Sequence, residues 1–132
     1  MTRKQLENWH FLELRADQLR DQLREVEGRA LPKSPDWSDK ARSSSPDILL
    51  DRLVPEMIER QEILGKRLDE VTAQLIEIEN FVAGIADLQV RVIVFYRCRQ
   101  RMKWNEIAER IGGKNTEDSC KKIYYRFFDS LL

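Results

Sequence analysis

The sequence predicts an all-α protein, because charged residues are abundant, turn-forming residues are scarce and apolar residues recur at helical spacing. Of the 132 residues, 35% are charged, whereas five are Gly and four are Pro. This composition is typical of long helices that face solvent. We expect a long coiled-coil helical hairpin followed by a small C-terminal helix-turn-helix module.

The first predicted element is a coiled-coil helix over residues 1–27. From Gln5 to Glu27, apolar residues alternate at spacings of three and four, which is the pattern of a coiled-coil seam. The seam residues are Trp9, Leu12, Ala16, Leu19, Leu23 and Val26. We expect Gly28, followed by Pro32, to end this helix.

Residues 28–45 are predicted to form an irregular linker. They contain Pro32, Pro35 and the run Ser43-Ser44-Ser45, and they hold few aliphatic residues. Trp37 is the exception. A lone Trp in such a segment is expected to anchor it on a neighbouring helix rather than to bind a ligand.

A second long coiled-coil helix is predicted over residues 46–86. The motif Ser45-Pro46-Asp47 supplies an N-cap, a proline at the first helical position and an acid in the first turn. The alternation of spacings then continues to Ile85. Pro55 is expected to kink this helix or to delay its start, because it removes one backbone hydrogen bond.

The first helix is too short to cover the second, so part of the second seam is left over. We expect the stretch from Val71 to Ile85 to pack on the C-terminal module or on a second copy of the chain. Of these partners the sequence favours a second copy, and therefore a homo-oligomer.

Three short amphipathic segments form the predicted C-terminal module over residues 87–132. The first runs from Asp87 to about Arg101, and its apolar set is Leu88, Val92, Ile93, Phe95 and Tyr96. The second runs from Lys103 to Ile111, and its apolar face holds Trp104, Ile107, Ala108 and Ile111. Gly112-Gly113 then predicts a tight turn between helices.

The third segment is a predicted helix that ends at Leu131, with Asn115 or Thr116 as its N-cap. Its expected buried face is Cys120, Ile123, Tyr124, Phe127 and Leu131. Its other face holds Glu117, Asp118, Lys121, Lys122, Tyr125 and Arg126.

The charge distribution favours a polyanionic partner for this module only slightly. The formal net charge is zero, but residues 1–84 carry 13 Lys and Arg against 17 Asp and Glu, whereas residues 85–132 carry 10 against 6. The two parts therefore differ in sign, from −4 to +4.

A set of motifs along the chain resembles one known family. The motifs are Ser45-Pro46-Asp47, Arg91, Tyr96-Arg97, Trp104-Asn105-Glu106-Ile107-Ala108, Gly112, Lys121 or Lys122, and Arg126 before Phe127-Phe128. The sequence resembles the RinA-like phage transcriptional activators, whose C-terminal module is similar to region four of bacterial sigma factors. It differs from them in a longer turn over residues 112–116 and in Phe127-Phe128, which stands where Ala-Leu is usual.

The resemblance and the residues together predict a phage-type or prophage-type transcriptional regulator, an activator by the resemblance, that binds double-stranded DNA. A helix in the major groove needs polar side chains for base edges and nearby cations for phosphates. The candidate DNA-binding residues are Lys103, Lys114, Asn115, Thr116, Glu117, Ser119, Lys121, Lys122, Tyr125 and Arg126. RNA polymerase is a candidate protein partner.

Two alternatives stay open. A small terminase subunit of a phage also joins helix-turn-helix and coiled segments, and it recognises packaging sites. A coiled-coil adaptor would bind only protein and would use the C-terminal helices as a globular cap, with the basic residues as a solvated face.

Enzymatic, metal and membrane functions are not expected. His10 is the only histidine, and it lies in a heptad pattern where a surface or seam position is usual. Cys98 and Cys120 lack the clustering of a disulfide scaffold or zinc site, and no cofactor motif is present. With no signal peptide or membrane-spanning run, we expect a location in the cytoplasm of a bacterial host cell.

Overall fold

The computed structural model describes residues 1–30 and 46–131. Those residues are helical and contain no strand, so the prediction of an all-α fold is confirmed for them. The predicted linker lies outside the described residues apart from residues 28–30, and so does its Trp37.

Six α-helices and one π-helix make up the described part of the chain. The α-helices are α1 (Arg3–Glu7), α2 (Trp9–Ala30), α3 (Pro46–Ala83), α4 (Leu88–Val94), α5 (Trp104–Ile111) and α6 (Glu117–Ser130). The π-helix (Phe95–Arg99) follows α4 directly.

Two helices stand where the sequence predicts one at the N-terminal end. Thr2 caps α1 in a capping box with Gln5, and α1 ends at Glu7 with Asn8 as its C-cap, before α2 begins at Trp9. α2 then continues through Gly28, so the prediction that Gly28 ends the helix is wrong. Gly28 has no left-handed backbone angle, and its cost of about 1 kcal/mol relative to Ala is tolerable within a long helix.

α3 begins at Pro46 and passes through Pro55 without interruption. Of the two predicted effects of Pro55, the delayed start is therefore wrong, and the kink stays a prediction. Proline removes one hydrogen bond of the helix, a loss that the 38 residues of α3 accommodate. The helix ends at Ala83, before Gly84.

The chain divides into two compact units. Unit A comprises Met1–Leu14 and Ala73–Leu132, and unit B comprises Arg15–Thr72. α2 and α3 each contribute residues to both units.

The core of unit B contains residues from both predicted seams. Leu19 and Val26 of α2 are buried in one cluster with Leu64 of α3. Partly buried apolar side chains surround them, namely Leu23, Met57, Leu68 and Val71. The helical spacing of these residues places them on faces that can meet.

The core of unit A joins three parts of the chain that are far apart in sequence. Leu6 and Trp9 come from the N-terminal end, and Ile78, Val82 and Ile85 come from the end of α3 and the residue beyond Gly84. The C-terminal segments supply Ile93, Val94, Cys98, Trp104, Ile107, Ala108, Cys120, Tyr124 and Phe128. The end of the second seam therefore packs on the C-terminal segments, which is one of its two predicted partners.

The buried face of the first C-terminal segment differs from the prediction. Leu88 is 65% exposed, because it opens α4 directly after the Asp87 cap, whereas Ile93 and Val94 are fully buried. The π-helix then adds a residue to one turn, with the Gln100 N–H donating to the Phe95 carbonyl at 3.3 Å. Its extra residue changes the register after Phe95, and Cys98 lies in the core.

The predicted face of the last helix also needs one correction. Cys120 and Tyr124 are buried as expected, and Ile123 and Phe127 pack against the core. Leu131 is 42% exposed because α6 ends at Ser130, and Phe128 takes the buried position instead.

No helix within the described ranges is both long enough and apolar enough to span a membrane.

Candidate nucleic-acid interface

α5 and α6 are held together by an aromatic and aliphatic core. The Trp104 ring lies edge-on to the Tyr124 ring, with 5.1 Å between the ring centroids. Ile107 and Cys120 are fully buried in the same cluster, and Phe128 continues it along α6. The predicted second segment is confirmed, since Lys103 precedes α5 as its N-cap and Trp104, Ile107 and Ala108 are buried.

The turn between α5 and α6 depends on its two glycines. Gly112 and Gly113 have φ angles of 74° and 67°, and residues that have a Cβ atom rarely adopt this backbone region. The prediction of a tight glycine turn is confirmed.

The Asn115 amide braces this turn. Its Nδ2 donates to the Gly112 carbonyl at 3.0 Å, and its Oδ1 accepts from Gln89 Nε2 of α4 at 3.1 Å. The amide nitrogen and the amide oxygen of this candidate DNA-binding residue thus both have hydrogen-bond partners within the protein.

Thr116 is the N-cap of α6, which selects one of the two predicted caps. Its Oγ1 accepts from the Ser119 backbone N–H at 3.2 Å, and Ser119 Oγ accepts from the Thr116 N–H at 2.8 Å. Ser119 Oγ also donates to the Thr116 carbonyl at 2.9 Å. These reciprocal bonds fix the start of the helix and occupy the hydroxyl groups of both residues.

The outward face of α6 is polar and carries both signs of charge. Of the six side chains predicted for this face, Lys121 is half-buried and the other five are exposed, namely Glu117, Asp118, Lys122, Tyr125 and Arg126. Lys103 and Lys114 are exposed before α5 and in the turn. Among the described residues, none of these charged groups forms an ion pair within 4.0 Å.

Tyr125 lies between two helices of unit A. The Arg3 guanidinium of α1 is 5.4 Å from the centroid of the Tyr125 ring, and the Trp104 ring is 6.4 Å away on a tilted plane. The sequence does not reveal Arg3 as a residue of this surface, because the heptad pattern of the N-terminal part gives no sign that α1 approaches α6.

Three arginines of the basic C-terminal part have structural partners. Arg91 donates to the Ile85 carbonyl at 2.6 Å, and Arg97 donates to the Met102 carbonyl at 2.8 Å while lying over the Trp104 ring. Arg99 pairs with Glu13 at 2.7 Å. The net charge of +4 over residues 85–132 therefore overstates the number of cationic side chains that are available to a ligand.

α1 is fixed to α6 by a hydrogen bond between distant residues. The Tyr124 hydroxyl donates to Glu7 Oε1 at 3.0 Å and lies 3.5 Å from Cys98 Sγ. Burial raises the pKa of the Cys98 thiol to about 11, and burial also raises the pKa of Tyr124. Both groups therefore stay protonated at neutral pH, which keeps the hydroxyl a donor to the carboxylate.

The other groups with potential chemistry are dispersed. Burial raises the pKa of Cys120, and His10 Nδ1 donates to the Arg99 carbonyl at 3.0 Å. Within the two described ranges, no group of three or more His, Cys, Asp or Glu side chains is placed to hold a metal ion.

Comparisons with known proteins assign no family to this arrangement: no family model, curated protein or solved structure matches the chain significantly.

Proposed function

We propose that the chain is a transcriptional regulator in which α5, the turn and α6 act as a helix-turn-helix module, with α6 in the major groove of duplex DNA. One observation carries the proposal: α6 buries its aromatic face on α5 and leaves exposed a continuous polar face with charges of both signs. A recognition helix requires this division, because its buried face fixes the helix while its other face contacts the groove.

The exposed side chains divide into base-contacting and phosphate-contacting groups. Lys122, Tyr125 and Arg126 reach from the outward face of α6, and Lys can donate to guanine acceptors. Lys103 and Lys114 flank the helix and contact phosphates. We assign Asn115, Thr116 and Ser119 to holding the turn and the helix start, since their polar atoms are already bonded.

The affinity of one such module for DNA is expected to be modest and dependent on salt. α6 carries Lys121, Lys122 and Arg126 but also Glu117, Asp118 and Asp129, so its own charges cancel. The attraction to phosphates then depends on the cations around it.

Unit B supplies the second part of the proposal. We assign it to protein contacts, as a coiled-coil hairpin that forms homo-oligomers and contacts a protein such as RNA polymerase. In support, α3 exposes Ile58 and Ile63 in this unit. The resemblance to RinA-like activators supports a phage-type or prophage-type role.

Fluorescence anisotropy with a random DNA duplex at two salt concentrations tests the DNA-binding proposal. We expect binding at low salt that weakens as salt rises. On a random duplex both Lys121 and Lys122 act on phosphates by their charge, so we expect Lys121→Ala with Lys122→Ala to reduce the salt slope, the slope of log K against log salt concentration, by about 1 for each lost phosphate contact. The matched control is Lys66→Ala with Arg67→Ala, which removes two exposed cations of unit B.

No binding at low salt would contradict DNA binding and would favour an adaptor that binds only protein. Binding that the α6 variant leaves unchanged would contradict the assignment of α6 as the DNA-contacting helix. If the chain does bind, cross-linking and sequencing of bound genomic DNA decides its role, since promoter sites indicate regulation and a packaging site indicates a terminase-like function.

A further inference from the structure

We infer that Arg3 of α1 is part of the DNA-binding surface, where its guanidinium contacts a phosphate beside the recognition helix. The inference rests on the proposed function, because it assigns a further contact to the same surface. It adds a residue from the opposite end of the chain.

Arg3 lies beside the outward face of α6. Its guanidinium is 5.4 Å from the ring centroid of Tyr125, which is 44% exposed and lies on the outward face of α6. The Arg3 side chain is itself 52% exposed. A cation at this position extends the exposed face of α6 beyond the helix.

α1 is fixed in place within unit A. Leu6 is fully buried in the core of unit A, and Trp9 is buried directly after the break at Asn8. Glu7 accepts the hydrogen bond from Tyr124 of α6 at 3.0 Å. Because a buried side chain and a bond to α6 hold this short helix, the backbone at Arg3 does not have to be ordered when DNA binds.

The electrostatic environment of Arg3 also suits a contact with a phosphate. Its only carboxylate partner among the described residues is Glu7, at 3.6 Å, and the Glu7 side chain is 39% exposed. An exposed pair of this kind is weak, so a phosphate can replace the carboxylate. The planar guanidinium can stay over Tyr125 while its other N–H groups bind phosphate oxygens.

Two single substitutions on α1 test this inference by opposite effects. Arg3→Ala removes the cation, so we expect weaker binding to random duplex and a salt slope lower by about 1. Glu7→Gln removes the competing negative charge and keeps an oxygen that accepts from Tyr124. We therefore expect it to strengthen binding at low salt.

Matched controls separate a local contact from a change in total charge. Lys66→Ala and Glu70→Gln make the same charge changes at exposed positions of α3 in unit B, and we expect neither to alter the salt slope. Arg3→Lys keeps the charge, so its slope should equal that of the unaltered chain. Thermal unfolding of each variant identifies any change that affects folding.

The inference is overturned if Arg3→Ala binds DNA like the unaltered chain while Lys121→Ala with Lys122→Ala loses binding, and the proposed function then stands. If Arg3→Ala does not fold, Glu7→Gln decides alone: an affinity equal to that of Glu70→Gln also overturns it. A chain that binds no duplex at low salt overturns both proposals.

Discussion

Trp104 has three aromatic or cationic neighbours in unit A, and it connects the core to the exposed face of α6. Its ring packs on Tyr124 inside, contacts Tyr125 on the surface side and lies under the Arg97 guanidinium at 4.8 Å. A large aromatic side chain with such contacts stabilises the fold through the apolar area it buries and through the favourable geometry of its ring contacts. Removing it should therefore affect the placement of α6 as well as stability.

We expect Trp104→Ala to destabilise unit A by roughly 3 kcal/mol or more, because it removes a buried aromatic side chain and leaves a cavity. The helices of unit B should stay formed. Thermal unfolding followed by near-ultraviolet circular dichroism measures the loss, and Trp104→Phe is the control that keeps an aromatic ring. Unchanged thermal stability would mean that the contacts of Trp104 contribute nothing.

At the scale of elements, the acidic residues in the first turn of α6 have two opposed electrostatic effects, one on helix stability and one on DNA binding. Glu117 and Asp118 follow the Thr116 cap, where negative charge stabilises the helix N-terminus. The same carboxylates repel phosphates if α6 enters a groove. The acids therefore favour the folded helix and oppose general affinity for DNA.

Glu117→Gln with Asp118→Asn separates these two effects. We expect tighter binding to random duplex, because two negative charges leave the surface, and a loss of stability of about 1 kcal/mol from the weaker helix start. Anisotropy and urea unfolding measure the two quantities. Glu59→Gln with Glu62→Gln, at exposed positions of α3, is the control, and an unchanged affinity of the α6 variant would count against α6 as the DNA-contacting helix.

The sequence predicts well those elements whose structure depends on residues close together in the chain. α5 follows from the spacing of Trp104, Ile107 and Ala108, and the turn follows from Gly112-Gly113, whose positive φ angles require glycine. The π-helix has no such signal, because an extra residue in one turn depends on how Cys98 packs against the rest of the core. The exposure of Leu88 is missed for a different reason, since this residue opens α4 directly after the Asp87 cap.

At the scale of the whole molecule, the interactions that sequence patterns cannot reveal are those between distant residues. Glu7 and Tyr124, whose side chains are hydrogen-bonded, are separated by 117 positions, and Arg99 pairs with Glu13 across 86. Helical periodicity reports which face of a helix is apolar but not which helix covers it. For that reason the sequence predicts the seam from Trp9 onward but not the position of Arg3 beside α6.

The long-range core of unit A also leads to a prediction about stability. Leu6 is fully buried among C-terminal residues, so we expect Leu6→Ala to destabilise unit A by about 2–5 kcal/mol. Hydrogen exchange should then accelerate in α5 and α6, far along the chain from the substitution, because their amides are protected by the same core. Leu19→Ala is the matched control, since Leu19 is equally buried in unit B and should accelerate exchange in α3 around Leu64. If Leu6→Ala accelerated exchange only in α1, the packing of Leu6 would contribute nothing to the folding of the C-terminal helices, and α1 would be no more than an attachment to them.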